Sequence, residues 1–222
     1  MIDFSAPADV VAPQLLGCTI THGGVSVRLT EVEAYLGADD EAAHTFRGPT
    51  PRNAAMFGPP GRLYVYLSYG IHLAGNLVCA PEGTGHGCLM RAGEVVAGVD
   101  EAYRRRGDVP FHKLASGPGN LGKCLGLSLA DNGTPVDLSV RTAEPEWVAG
   151  PRIGISRNAE APLRFWIPGD RTVSGRRGRP GRAGSGGDGY GGGGKRDRPH
   201  TVRIHHELHR RDADHPPEQR RR

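Results

Sequence analysis

Aromatic residues fill only 6% of the 222 positions and hydrophobic residues only 37%. The 34 Gly and 18 Pro, 52 residues together, exclude a coiled coil and point to a loop-rich or β-rich fold. No run of about 18 apolar residues occurs, so no membrane-spanning helix is expected. The opening residues, Met1-Ile2-Asp3-Phe4, lack a basic segment followed by an apolar one, and no secretory signal is expected. Cysteine is limited to Cys18, Cys79, Cys88 and Cys124. Their separations argue against a zinc knuckle and for reduced thiols in a core. No metal and no cofactor are expected. Before residue 175 the only lysines are Lys113 and Lys123.

The net charge of +4 conceals a division. Residues 1–170 carry 14 Lys+Arg against 18 Asp+Glu, a balance of −4, and residues 171–222 carry 14 against 6, a balance of +8. The basic segment also holds 11 of the 34 glycines and 5 of the 10 histidines. Its few large apolar residues, such as Val202, Ile204 and Leu208, cannot offset the entropy of ordering it. Residues 1–174 are therefore expected to form one domain, and 175–222 a disordered basic tail with a Gly-rich linker at 184–194. Within that tail, His205-His206-Glu207-Leu208-His209 has histidines at i and i+4 but not the order of a zinc peptidase helix.

The domain reads as α+β: a curved antiparallel sheet with flanking short helices. Ala8–Leu16 reads as a short helix that Pro13 interrupts. Cys18–Thr21 and Val25–Tyr35 read as strands across a turn at His22-Gly23-Gly24. Tyr64–Leu67 and Ile71–Cys79 read as a hairpin turning at Tyr69-Gly70. Leu89–Arg91 with Glu94–Val96 extends the sheet, Asp100–Arg106 and Pro118–Leu127 read as helices, and Ile153–Ile155 and Leu163–Ile167 as late strands.

Alternation along the second strand places Val25, Val27, Leu29, Glu31, Glu33 and Tyr35 on one face. Carboxylates on a face that begins apolar suit proton transfer. The bland alternatives are a strand that surfaces at Glu31 or a bulge that shifts its register. Asp39 or Asp40 reads as the cap of a short helical turn, with His44 downstream. Three of the six tyrosines, Tyr64, Tyr66 and Tyr69, fall within six residues. Tyr64 and Tyr66 share a face, whereas Tyr69 sits at a hairpin tip, where an exposed ring suits insertion into a base stack or a partner pocket. Asn76 and Arg91 are polar residues in apolar surroundings, and a buried Arg needs a carboxylate, for which Glu33 is a candidate.

Six ordered motifs carry a resemblance. They are Glu31-Val32-Glu33-Ala34-Tyr35-Leu36-Gly37 with Asp40 and Ala42-Ala43-His44; Thr50-Pro51-Arg52-Asn53 with Met56-Phe57; Gly61–Gly70 with Asn76; Leu89-Met90-Arg91-Ala92; Ser116–Leu121; and Arg152–Ile155 with Pro162–Ile167. From about Asp3 to Ser174 the chain resembles the alkyladenine (3-methyladenine) DNA glycosylases. The resemblance implies a base-excision-repair enzyme on a curved antiparallel sheet. Such an enzyme flips alkylated purines out of duplex DNA and hydrolyses the N-glycosidic bond, leaving an abasic site. It implies that Glu33 is the general base for the attacking water, that Arg91 positions that water, and that the carbonyl of Ile153 completes the water site. Tyr35, His44 and Tyr66 would hold the base, Asn76 would reject guanine, and Tyr69 would fill the gap in the duplex.

With no lysine in these motifs, a monofunctional glycosylase without lyase activity is expected. The implied partner is double-stranded DNA containing alkylated purines, bound by a monomer without membrane association. The implied compartment is the bacterial cytoplasm, at the nucleoid, or the nucleus of a eukaryote. The alternative function is a noncatalytic nucleic-acid or damaged-DNA binding module, which would need neither Glu33 nor Arg91. The basic segment reads either as a cationic arm that strengthens nonspecific DNA binding or as the product of a shifted reading frame.

Overall fold

The computed structural model describes residues 1–68 and 70–175. The predicted tail, its histidine cluster and Tyr69 thus lie outside the described residues. In chain order come α1 (Ala8–Leu15), β1 (Thr19–His22), β2 (Val25–Leu36), β3 (Leu63–Ser68), β4 (His72–Cys79), β5 (His86–Ala97), α2 (Val99–Arg106), β6 (Ala115–Ser116), α3 (Pro118–Leu125), β7 (Asp137–Ser139), β8 (Val148–Gly150) and β9 (Arg164–Trp166). The strands form one curled antiparallel sheet in the order β3-β4-β5-β2-β1-β7, with β6 on β5, β9 on β2 and β8 on β9.

Apolar residues of β1, β2, β4 and β5 pack against α1 and α3 to form the main core, which contains Val11, Leu15, Ile20, Leu77, Met90, Leu121 and Leu125. Pro13 does not interrupt α1; it lies inside a helix that ends two residues later, so one missing amide donor costs only its last turn. The two apolar stretches around Arg91 are one continuous 12-residue strand, β5. Ile153–Ile155, expected as a strand, is irregular: Gly154 has φ +80° and Arg152 is drawn inward, which breaks the alternation.

Pro118 begins α3 and Gly126 ends it at φ +71°. The helix lies so close to β4 that a Cβ on Gly122 would overlap the Leu73 carbonyl oxygen. Gly→Ala inside a helix normally stabilises by up to about 1 kcal/mol. Here a backbone oxygen that cannot yield blocks the methyl, and overpacking costs about 1–3 kcal/mol, occasionally more. Gly122→Ala should therefore lower the denaturant midpoint, with the sign opposite to propensity.

The feature that places the site is an irregularity in β2 and β5. Leu29 faces Gly93, Glu31 faces Ala92, and Val32 faces Met90. Thr30 on β2 and Arg91 on β5 therefore lack an opposite residue, and the two bulges compensate each other. Val25, Val27 and Leu29 point into the core, but beyond the bulge Val32 and Ala34 do so instead. The expectation that Glu31 and Glu33 share the face of Val25 is corrected accordingly: the extra residue moves both carboxylates to the opposite face. At the same point β2 exchanges its outer neighbour, pairing with β1 through Arg28 and with β9 from Glu31 to Glu33.

Candidate active site

Neither carboxylate surfaces. Glu31 and Glu33 are fully buried, and Arg91, at 7% exposure, lies between them. Arg91 Nε is 3.2 Å from Glu31 Oε1, and Arg91 NH1 is 3.3 Å from Glu33 Oε1. The buried arginine therefore has the partner expected for it, and a second one. Arg164 donates from Nε to Glu31 Oε1 at 2.5 Å, so two cations balance two anions.

The two glutamates differ in what else they touch. Glu31 Oε2 accepts from the Ser174 amide at 2.7 Å and its hydroxyl at 2.6 Å, which saturates it with groups from the end of the domain. Glu33 accepts from the Ile153 amide at 2.8 Å on Oε1 and from the Tyr35 hydroxyl at 3.0 Å on Oε2. Ile153 thus reaches Glu33 through its N–H. Its loop is held there by Arg152, which donates to the Ala34 carbonyl at 2.8 Å.

Tyr35, His44, Tyr66, Asn76, Arg91 and Ile153 all line one cavity of about 330 Å³. That is near the lower limit of small-ligand pockets, which suits one planar ring system. Asn76, from β4, donates Nδ2 to the Tyr64 carbonyl at 3.3 Å, leaving its amide oxygen free of that bond. Tyr64 and Tyr66 stack at 5.7 Å between centroids and both line the cavity, Tyr64 being the more buried. His44 stands edge-on to Tyr66, centroids 4.5 Å apart and planes at 88°. The two rings are nearly perpendicular, so a flat ligand can lie parallel to one of them but not to both. Asn53 holds the His44 carbonyl through Nδ2 at 2.9 Å.

The protonation states follow from the surroundings. Burial, then Glu33, pushes the Tyr35 hydroxyl well above the usual phenol range. Burial, then Tyr64, pushes Tyr66 up to about 12. His44 opens to solvent on one side, yet desolvation by its neighbours and then the Arg52 charge lower its pKa, favouring neutral imidazole at pH 7. All three rings thus enter the cavity uncharged.

Behind Tyr35 lies a pair that the spacing of the sequence did not reveal. Asp40 follows a 3-10 turn at Gly37–Asp39 and caps the turn after it, its Oδ1 accepting from the Ala42 amide at 3.2 Å. Its carboxylate meets Arg152 in a two-pronged pair, with NH1–Oδ2 at 2.5 Å and NH2–Oδ1 at 2.8 Å. Both side chains are fully buried. Burial raises the Asp40 pKa, but hydrogen bonds from Arg152 and Asn158 more than reverse this and hold it below the usual carboxylate range. The Arg152 guanidinium lies 4.5 Å from the Tyr35 ring centroid, so the pair backs the ring that donates to Glu33. Arg152 and Asp40 both occur in the motifs above, but their 112-residue separation hid the contact.

Among the described residues, no three His, Cys, Asp or Glu side chains cluster to ligate a metal. All four cysteines are buried and free. No helix of the described residues is long and apolar enough to cross a membrane.

The geometry coincides with a sequence family. The family model for methylpurine-DNA glycosylase matches residues 2–171. A Corynebacterium efficiens protein, provisionally named a 3-methyladenine DNA glycosylase, is 69% identical over 182 residues, covering 80% of this chain and 96% of its own. A Corynebacterium glutamicum protein with the same provisional name is 66% identical over 183 residues, covering 80% and 97%. One from Cutibacterium acnes is 56% identical over 190 residues, covering 80% and 100%. About a fifth of this chain lies outside these matches. The chain belongs to the methylpurine-DNA glycosylase family, whose members are hydrolases of N-glycosyl bonds in DNA.

Proposed function

We propose that the protein excises alkylated purines of the 3-methyladenine type from duplex DNA, with Glu33 as the general base. The observation that carries this reading is the buried Glu33 carboxylate held by Tyr35, Ile153 and Arg91, three residues that line a cavity walled by uncharged rings. A purine paired in a duplex cannot reach such a cavity, so it must leave the stack, at a cost of a few kcal/mol. Alkylated purines are electron-poor and frequently cationic, and neutral π faces favour them over ordinary bases.

The chemistry follows from the charges. As the C–N bond lengthens, positive charge builds on the sugar, and the Glu33 carboxylate stabilises it. Glu33 then takes a proton from the attacking water, whose oxygen bonds to the anomeric carbon while the purine departs with the C–N electron pair. A cationic alkylpurine departs neutral without an acid. The Ile153 N–H and Tyr35 O–H fix the carboxylate, and Arg91 orients it. Asn76 places an amide where a purine's exocyclic group would lie, so an added amine is rejected by clash and unpaired polarity. Among the described residues no lysine lines the cavity, which favours hydrolysis by water over a Schiff-base route and hence a monofunctional enzyme. A single chain supplies every group named, so a monomer suffices. For a bacterial protein like its relatives, the DNA substrate places this work in the cytoplasm.

The test is release of free base from a panel of lesion-bearing duplexes, read by chromatography. Release of 3-methyladenine is expected; intact DNA across the whole panel would refute the reading. Tyr69, carried over from the family resemblance, would act as the wedge. Tyr69→Ala should therefore slow excision from a paired lesion about tenfold more than from an unpaired one. Equal slowing on both would remove the wedge role.

A further inference from the structure

After β9 the chain turns back along the bulge of β2 as a strap. The Ile167 amide donates to the Thr30 carbonyl at 3.0 Å. Asp170 pairs with Arg28 at 2.9 Å, and the Thr172 and Thr30 hydroxyls meet at 2.7 Å. The strap ends at Ser174, which is 8% exposed. Its amide and hydroxyl both donate to Glu31 Oε2, at 2.7 and 2.6 Å. Its Oγ accepts from Arg91 Nε at 3.1 Å, and its carbonyl accepts from Arg164 at 3.4 Å.

Among the described residues, Ser174 is thus the one hydroxyl that joins Glu31 to Arg91. Its two bonds to Glu31 are short, whereas the ion pairs of Arg91 with Glu31 and Glu33 measure 3.2 and 3.3 Å. Charge-assisted N–H···O bonds usually measure about 2.7–2.9 Å. The glutamates alone therefore hold the guanidinium loosely. The serine oxygen, itself fixed, adds a third point on its Nε edge, which keeps NH1 turned toward Glu33.

We infer that Ser174 is a positioning residue for base excision: it acts through the Nε edge of Arg91, so that the strap closing the domain sets the orientation of the group beside the general base. This rests on the reading of Glu33 above. It also gives Glu31 a distinct role, as the anchor to which the strap is tied rather than as a second base.

The experiment is single-turnover release of 3-methyladenine from duplex DNA by the full-length protein, with Ser174→Ala and Ser174→Thr beside it. Ser174→Ala should slow the rate at saturating enzyme about tenfold, the size expected for one hydrogen bond to a charged group. The enzyme concentration giving half the maximal rate should stay within about twofold, because Ser174 does not line the cavity. Ser174→Thr, which keeps the hydroxyl, should restore the rate to within about threefold. An unchanged rate for Ser174→Ala would overturn the inference. So would a change confined to the half-saturating concentration, or a threonine variant as slow as the alanine one. No release by the unsubstituted protein would overturn the glycosylase reading itself, a result distinct from a normal rate in the variants.

Discussion

Glu33→Gln should slow base release by about 100-fold or more, the lower end of general-base effects. The substitution keeps volume and shape. Its amide oxygen still accepts from the Ile153 N–H, and its NH2 group can donate to the Tyr35 oxygen. Arg91 keeps Glu31 as counterion at 3.2 Å. The fold should therefore survive, and binding to lesion-bearing duplex should persist while turnover is lost. Single-turnover rates and gel-shift titration on the same preparation separate the two. A Gln variant releasing base at a comparable rate would remove Glu33 as the base.

The largest stability effect is expected at Asp40. Asp40→Ala strips the counterion from a guanidinium whose side chain is fully buried and whose remaining polar contact is the Ala34 carbonyl. Breaking a buried pair on one side costs about 3–5 kcal/mol. That is a large share of a typical domain stability of about 5–15 kcal/mol. The Arg157–Glu41 pair, with both side chains more than half exposed, makes the contrast: Glu41→Ala should cost about 0–1 kcal/mol. Urea unfolding of both variants measures the difference, and similar midpoints would show that the buried pair contributes little.

The same pair sets an acid limit. Asp40 has a depressed pKa when folded, so its contribution is complete above its ordinary value of 3.8 and is lost as pH falls through the lower folded value. Asp170 in the strap is also depressed: burial opposes this, but the Thr172 amide and hydroxyl and then Arg28 outweigh it. Stability should hold down to about pH 4 and fall below it, and the Asp40 variant should lose part of that dependence.

What the sequence disclosed was local. The Pro118 start of α3, the hairpin of β3 and β4, and the partner needed by Arg91 were legible because each depends on neighbours or on simple burial rules, whereas the helix, read to Leu127, stops at Leu125 before Gly126. What stayed hidden was of two kinds. One is parity: strict alternation from Val25 put Glu33 on the core face, and although a register-shifting bulge was the alternative, no spacing fixed it at Thr30, where the structure has it. The other is distance. Arg152 meets Asp40 across 112 positions and Ser174 meets Glu31 across 143, and no spacing rule reaches that far. Ile153–Ile155 resembles a strand because β-branched residues favour one, but Gly154 at φ +80° and the inward Arg152 make it a loop.

The paired bulges restrict how this protein can change in length. Loss of Thr30 alone would rotate every residue downstream on β2, sending Val32 outward and Glu33 into hydrocarbon, so core and chemistry would fail in one step. Loss of Arg91 alone would do the same to β5. Only a concerted gain or loss on both strands keeps them in phase. Insertions and deletions in this region of related chains should accordingly be found matched on the two strands, or not at all.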